Sequence, residues 1–361
     1  MKRSLALFLA AATLLCLLSG CAAQKSAAAG NTAPFTDDLG RTVQLPKDLT
    51  RIAPSGSVAS MVLATIAPEY MVCISSTPSS AQYKYLPEHL LKLPTTGQMF
   101  GAKSTLNLET LLGCAPQVII DIGDERTDTA ANLDALQRQI GVPVIFLNGD
   151  VSNMEQMYRT LGAILAGKAE RGEAMAAFAA ETVAMAAENR EKITDSERLR
   201  VMYTSGAAGL GTNAQGSTQA QVLELVGAEN AIVVPDVSNR GGGNLIDLEQ
   251  LYSFDPDVIV FTAGSLFDRV ADDPAWQGLR AIENGQYYEV PALPYSWLSN
   301  PPSVNMLLGV WWLGNLLYPQ YYSYDMTAKA QEIYQLLWGY PLTQEEAAVL
   351  LKNSTLREAG A

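Results

Sequence analysis

Apolar positions along this chain fall into two rhythms. Runs of strand length recur at Arg51–Pro54, Met71–Ser75, Val118–Ile122 and Val144–Leu147, and again at Val201–Thr204, Val258–Thr262 and Tyr287–Val290. Longer segments with helical composition separate them, and this alternation predicts a parallel α/β construction. Residues 35–45 (FTDDLGRTVQL) read as a hairpin with Asp38 and Gly40 in its turn. Ser57 is placed to cap the helix after the first of these strands. Residues 76–104 are rich in Pro, Ser, Thr, Gly and Tyr and read mostly as loop.

The middle of the chain changes character. Ser152 followed by Glu155 fits a capping box that opens a helix, and Gly167 interrupts it. Residues 169–192 then run without a proline through Ala, Glu and Met, which are strong helix formers. At about 1.5 Å per residue such a helix spans roughly 36 Å, enough to cross from one lobe to another. Further helices are expected at 303–318, where Pro301 and Pro302 lead in, and at 325–338 and 343–352.

One pattern occurs twice. Leu106–Ile120 reads LNLETLLGCAPQVII and Ile246–Val260 reads IDLEQLYSFDPDVIV, with Glu109 matching Glu249 and Pro116 matching Pro256. Each copy is a short helix with Glu near its start, a proline stop and an apolar strand. Two similar α/β lobes, with a cleft between them, follow from the repeat.

The N-terminus suggests an address. Lys2 and Arg3 precede an apolar stretch, Leu5–Leu18, that is too short for an ordinary membrane span. Leu18, Ser19, Gly20 and Cys21 resemble the lipobox of bacterial lipoproteins, which implies cleavage before Cys21 and a lipid on its thiol. Residues 22–33 are small and polar, as a tether would be. The expected organisation is a signal peptide at 1–20, a lipidated tether at 21–34, a first α/β lobe at 35–151, a helical linker at 152–196 and a second lobe at 197–361.

The formal charge is −13, which argues against nucleic acid as a partner and favours a partner with basic loops. Setting aside Cys16 and Cys21, two cysteines remain, Cys73 and Cys114, and both read as free thiols in apolar surroundings. His89 is the only histidine, so a metal site built from several histidines is excluded and no bound cofactor is expected.

Several motifs, taken in order, resemble the class III substrate-binding proteins of ATP-driven importers, a group that serves ferric siderophores, haem and cobalamin. FTDDLGRTVQLP and RIAPSGS match the family's opening, and NLETLLGCAPQVII its first-lobe segment. GTNAQGSTQAQVLELVGAENAI, DLEQLYSFDPDVIVF and WQGLRAIENGQYYEVP match successive parts of its second lobe, and the resemblance covers roughly residues 35–320. It implies an α/β fold of two Rossmann-like lobes joined by a single long helix, with the ligand cleft between them. It also implies that Glu109 and Glu249 meet basic residues of an ABC permease dimer, which works with its ATPase. Two carboxylates on equivalent lobe surfaces suit a two-fold symmetric partner.

In open α/β lobes a ligand sits beyond the carboxyl ends of the strands. That rule selects Ser55, Ser57, Gln98, Phe100 and Arg126 in the first lobe, and Asn213, Gln215, Arg240, Tyr295, Trp297 and Ser299 in the second. Arg126 and Arg240 would present forked cations to carboxylate or hydroxamate-type oxygens. Phe100, Tyr295 and Trp297 would form flat walls, and Asn213, Gln215 and Ser299 would fix orientation. An iron chelate such as a ferric siderophore is the leading ligand, with corrinoid, haem and an oxyanion such as molybdate as alternatives. A tethered ligand sensor would have much the same sequence. An enzyme lacks support, for no Cys cluster, no nucleophile beside a base and no G-x-G-x-x-G after a strand is present.

Overall fold

The computed structural model describes residues 31–100, 104–239 and 242–356. The signal, Cys21 and Arg240 therefore lie outside the described residues.

The first lobe opens with an antiparallel hairpin, β1 (Thr32–Thr36) and β2 (Thr42–Pro46). Strand β3 (Ile52–Pro54) leads through Ser55 and Gly56 into helix α1 (Ser57–Ile66). Helix α2 (Leu108–Gly113) precedes β4 (Val118–Gly123), and α3 (Thr129–Ile140) precedes β5 (Val144–Asn148). Strands β3, β4 and β5 pair in parallel in that order. The run Met71–Ser75 forms only isolated bridges, Met71 with Ile52 and Ile74 with Thr95, rather than a strand of its own. Met71 meets only the first residue of β3 and Ile74 a loop residue, so the ladder does not extend.

Two helices follow, α4 (Met154–Ile164) and α5 (Ala169–Lys192). The expected capping box at Ser152 is replaced by Asp150, whose carboxylate accepts from the Ser152 amide and caps a 3-10 turn ahead of α4. Gly167 has a φ of 66° and turns the chain between the two helices. The helices approach so closely that a Cβ on Gly172 would lie 2.6 Å from the Gly162 Cα, which only glycine permits. Helix α5 has the bounds read from its composition, because an unbroken Ala-rich run has nothing to stop it before Ile193.

The second lobe comprises β6 (Arg200–Ser205), β7 (Gly211–Thr212), α6 (Gln221–Leu225), β8 (Glu229–Asn230), β9 (Asn244–Leu245), α7 (Leu248–Phe254), β10 (Val258–Phe261), α8 (Arg280–Glu283) and β11 (Tyr287–Glu289). Its sheet runs β11-β10-β6-β7-β9, with β8 also paired to β6. Strands β11, β10, β6 and β8 are parallel, whereas β7 is antiparallel to β6 and β9. Helices α9 (Asn305–Leu317), α10 (Met326–Trp338) and α11 (Gln344–Leu351) complete the chain. No described helix is long and apolar enough to cross a membrane.

One apolar core runs through both lobes. It includes Ile52 and Val118 of the first sheet, Met175 and Phe178 of α5, Val201 of the second sheet and Trp312 of α9. Helix α5 packs against α1 and α4 on one side and α6 and α9 on the other. Trp311 donates its Nε1–H to Thr182 Oγ1 at 2.9 Å, tying α9 to the middle of α5. The architecture is thus two α/β lobes bridged by one long helix.

The sequence repeat is a structural repeat. Asn107 and Asp247 cap their helices by accepting from Thr110 and Gln250 amides. Ala115 (φ 47°) and Asp255 (φ 39°) both turn left-handed one residue before the matching prolines. The amides of Gln117 and Asp257 then donate 2.8 Å bonds to Arg51 and Arg200, which open the neighbouring strands. Each helix is thereby fixed at the amino end of its sheet, opposite the end where strands release their loops.

Candidate functional site

The carboxyl ends of β3, β4 and β5 release three loops toward the second lobe. They bring Ser55, Asp124 and Gly149 to one wall of a cleft of about 420 Å³. The other wall comes from Thr218 and Gln219 in the 3-10 turn before α6 and from Gln221, its first residue, with Asn239 also in the lining. Asn300, Pro301 and Met306 close one end.

Helix α1 contributes its amino terminus. Gly56, Ser57 and Val58 line the cleft, and no side chain caps this helix. Its first amides therefore offer unsatisfied donors and the positive end of the helix dipole. A ligand oxygen placed there would be stabilised.

The electrostatics centre on Asp121 and Arg126. Asp121 lies at the floor, only 5% exposed, and accepts a hydrogen bond from Ser55 Oγ. Burial pushes its carboxyl up to about 6, against the opposing pull of the Ser55 bond and the Arg126 charge. Arg126 is exposed, its backbone amide is held by Thr129 Oγ1 at 3.0 Å, and its guanidinium forms no ion pair with a described residue. A forked cation is thus held over the cleft by a loop anchored at one end.

Two side-chain bonds join the loops of the first sheet to the second-lobe wall beside the cleft. Thr218 Oγ1 donates to Asp124 Oδ2, and Gln221 Nε2 donates to Asp150 Oδ2, each at 2.8 Å. The second bond fixes the Gln221 amide so that its Oε1 faces inward without a partner, and the Gln219 Oε1 nearby is also buried and unpaired.

Of the residues selected from sequence, Ser55, Ser57, Gln98, Phe100 and Arg126 line this cleft together. The second-lobe choices are scattered. Asn213 is 2% exposed, with its carbonyl accepting from Asn230 Nδ2. Gln215 is exposed and its amide bonds to the Ile232 carbonyl, away from the cleft lining. Ser299 is fully buried against the Tyr203 hydroxyl at 2.9 Å. Trp297 is fully buried too, edge-on to Trp312 and Tyr334. Tyr295 lines a smaller recess next to the cleft. Trp297, Leu298 and Ser299 are buried in succession, so this segment runs into the core, where a large ring gains most by burial.

Sequence reasoning missed Asp121, Thr218, Gln219, Gln221 and Asn239. Asp121 carried a signal, being the one charge in the apolar strand VIIDIG. Thr218, Gln219 and Gln221 follow closely on the selected Gln215, in the turn that leads into α6 and at its first residue. Glu109 and Glu249 are exposed in the first turns of α2 and α7, on the face of each lobe fixed by the repeat. His89 is remote from the cleft lining, with its ring bonded to the Met71 carbonyl at 3.2 Å. Cys73 is buried and Cys114 half-buried, and both are free.

Two bridged α/β lobes with an uncapped helix terminus and a loop-borne cation facing a cleft define a solute-binding protein. Residues 52–293 match the periplasmic binding protein family. The chain belongs to that family, whose class III members are extracytoplasmic solute-binding proteins of ABC importers. An ABC transporter solute-binding protein from Sulfurospirillum deleyianum is 28% identical, with a TM-score of 0.81 over 88% of this chain and 99% of that one. A molybdate-binding periplasmic protein of Haemophilus influenzae shares the fold at 18% identity and a TM-score of 0.67, over 86% and 99% of the two chains. The Fe(3+)-citrate-binding protein YfmC of Bacillus subtilis is 21% identical over 192 residues, which is 52% of this chain and 58% of that protein. The alignment thus spans less than two thirds of that relative's length.

Proposed function

We propose that this protein captures an iron chelate outside the cytoplasmic membrane and delivers it to an ABC permease dimer driven by its ATPase. The observation that carries the ligand reading is the cleft itself. About 420 Å³ is room for a compact organic chelate, whereas a bare tetrahedral oxyanion would leave most of it empty. The wall offers an unpaired guanidinium and helix-terminal amides, which suit the peripheral oxygens of a carboxylate or hydroxamate complex. The Fe(3+)-citrate-binding relative agrees with this class of cargo.

In this reading Ser55, Ser57, Gln98, Phe100 and Arg126 contact the ligand, joined by Asp121 and Thr218. Arg240 follows cleft-lining Asn239 and would add a second cation. Glu109 and Glu249 dock on the permease, and a lipid on Cys21 holds the protein to the membrane after removal of residues 1–20. The lobes divide as 35–151 and 197–361 around the linker at 152–196.

Isothermal titration with ferric citrate, a ferric trishydroxamate, cobalamin, haem and molybdate tests the ligand. Saturable binding of a ferric complex, weakened at least tenfold by Arg126→Ala, is the expected result. Tight binding of molybdate or cobalamin with no response to any ferric complex would sink the chelate reading.

A further inference from the structure

Beside the main cleft lies a recess of about 190 Å³, beneath residues 75–90. Its floor is apolar, built by Met61 and Ala64 of α1 with Met71 and Ile74, all less than 9% exposed. Leu86 and Leu90 form its roof. Ser57, Asn300 and Pro301 belong both to its wall and to that of the main cleft, so the two spaces meet at one boundary. Protein interiors are packed with few voids larger than a water molecule. An apolar void of about 150 Å³ is already large enough to take benzene. The recess is therefore of single-ring size, apolar in its floor and adjacent to the ligand cleft.

Its rim is polar, with Ser60, Ser75, Gln82 and Tyr295 among the lining residues. Tyr295 is mostly buried in the wall, and burial alone raises its phenol, with no hydrogen bond to offset the loss of water. A buried tyrosine hydroxyl ordinarily finds a partner. The Tyr295 hydroxyl has no hydrogen bond to a described residue and is free to meet a ligand atom in the recess.

We propose that this recess is an accessory subsite, which takes an apolar arm of about one ring from the same ligand whose polar, metal-bearing head occupies the main cleft. The proposal rests on the chelate reading of that cleft. It specifies the cargo further: a chelate with at least one aryl or short branched-alkyl arm is preferred over one that is polar all round. The arm would carry a hydrogen-bonding atom within reach of the Tyr295 hydroxyl.

The test uses the full chain with methyl-13C methionine. Benzyl alcohol, standing in for the arm, is titrated while the Met61 and Met71 methyl signals are followed. Ferric acetohydroxamate and ferric benzohydroxamate, which share a head and differ in the arm, are compared by calorimetry. Expected are saturable shifts of both methyls and at least tenfold tighter binding of the benzohydroxamate complex, the scale of burying a Phe-sized group. Ala64→Phe, which fills the floor, removes both effects and leaves acetohydroxamate binding unchanged. Ala64→Leu adds less volume and carries the same comparison where the Phe variant does not fold. Equal affinities for the two complexes, or Met61 and Met71 signals that do not move, overturn the proposal. If neither ferric complex binds while benzyl alcohol still shifts both methyls, the chelate reading fails and the recess stands as the arm site of another ligand.

Discussion

Thr218 donates its hydroxyl to the carboxylate of Asp124 across 2.8 Å, joining residues 94 positions apart on opposite walls of the cleft. The Gln221 bond to Asp150 runs beside it. Both lie where the turn before α6 and its first residue meet the loops of the first sheet. They are placed to slow the parting of the lobes rather than to hold the fold, which the continuous core through α5 already does.

Replacing both donors, as Thr218→Val with Gln221→Leu, is expected to raise the rate of ligand release several-fold. Stability falls by only about 1–3 kcal/mol, because each net hydrogen bond contributes about 0.5–1.5 kcal/mol. Stopped-flow dissociation alongside urea unfolding separates the two effects. An unchanged release rate would show that these bonds do not restrain the lobes.

The repeat predicts where a partner binds. Glu109 and Glu249 sit in matching first turns, and three residues on in each copy a large apolar side chain is exposed, Leu112 at 45% and Tyr252 at 42%. Each lobe thus shows an acidic group beside an apolar one at the same place in the fold. Such a pair of patches suits a two-fold symmetric surface with basic and apolar features. Reversing both charges, as Glu109→Lys with Glu249→Lys, is expected to cut stimulation of the permease ATPase at least tenfold in proteoliposomes. Ligand affinity should stay within twofold, since neither residue lines the cleft. Normal stimulation by the double variant would refute the docking role.

How far the sequence was legible depends on how local each cause was. Although the caps expected of Ser57 and Ser152 are not formed, the short helices of the repeat and their stops at Pro116 and Pro256 are set by short-range chemistry and could be read directly. So could the loops after β3 and β4, since strand order places them. Trp297 could not. Its burial depends on α9 packing against it so tightly that a Cβ on Gly309 would lie 2.1 Å from the Trp297 carbonyl oxygen. Nothing within ten residues of Trp297 encodes that contact.

Trp297 therefore yields a stability prediction instead of a binding one. Trp297→Ala should destabilise by about 3–5 kcal/mol, the usual range for emptying a buried aromatic site. Trp297→Phe should lose less and retain full ligand affinity. Denaturant melts read the first effect and calorimetry the second. A Phe variant that keeps its stability but loses the ligand would return Trp297 to the cleft.

Asp121 was legible only in part: it stands out as the one charge in VIIDIG, but a lone carboxyl in a strand reads alike whether it faces solvent or a closed floor. Its burial has a pH consequence. The folded-state carboxyl titrates near 6, above the ordinary value of 3.8. Between those values the native protein holds a proton that the unfolded chain has released. By linkage, stability falls as pH rises across that window. The favourable contribution is fully present below about pH 4 and lost once pH exceeds about 6, with a total of roughly 3 kcal/mol for a two-unit shift. Asp121→Asn stays neutral throughout and keeps an oxygen for the Ser55 hydroxyl. It should flatten this part of the stability profile and make the protein more stable than wild type at pH 7. Unfolding free energies measured at intervals from pH 4 to 7 for both proteins test the sign. A wild-type profile that rises across the window more steeply than that of the variant would mean that the carboxylate, not the acid, is the form the folded cleft favours.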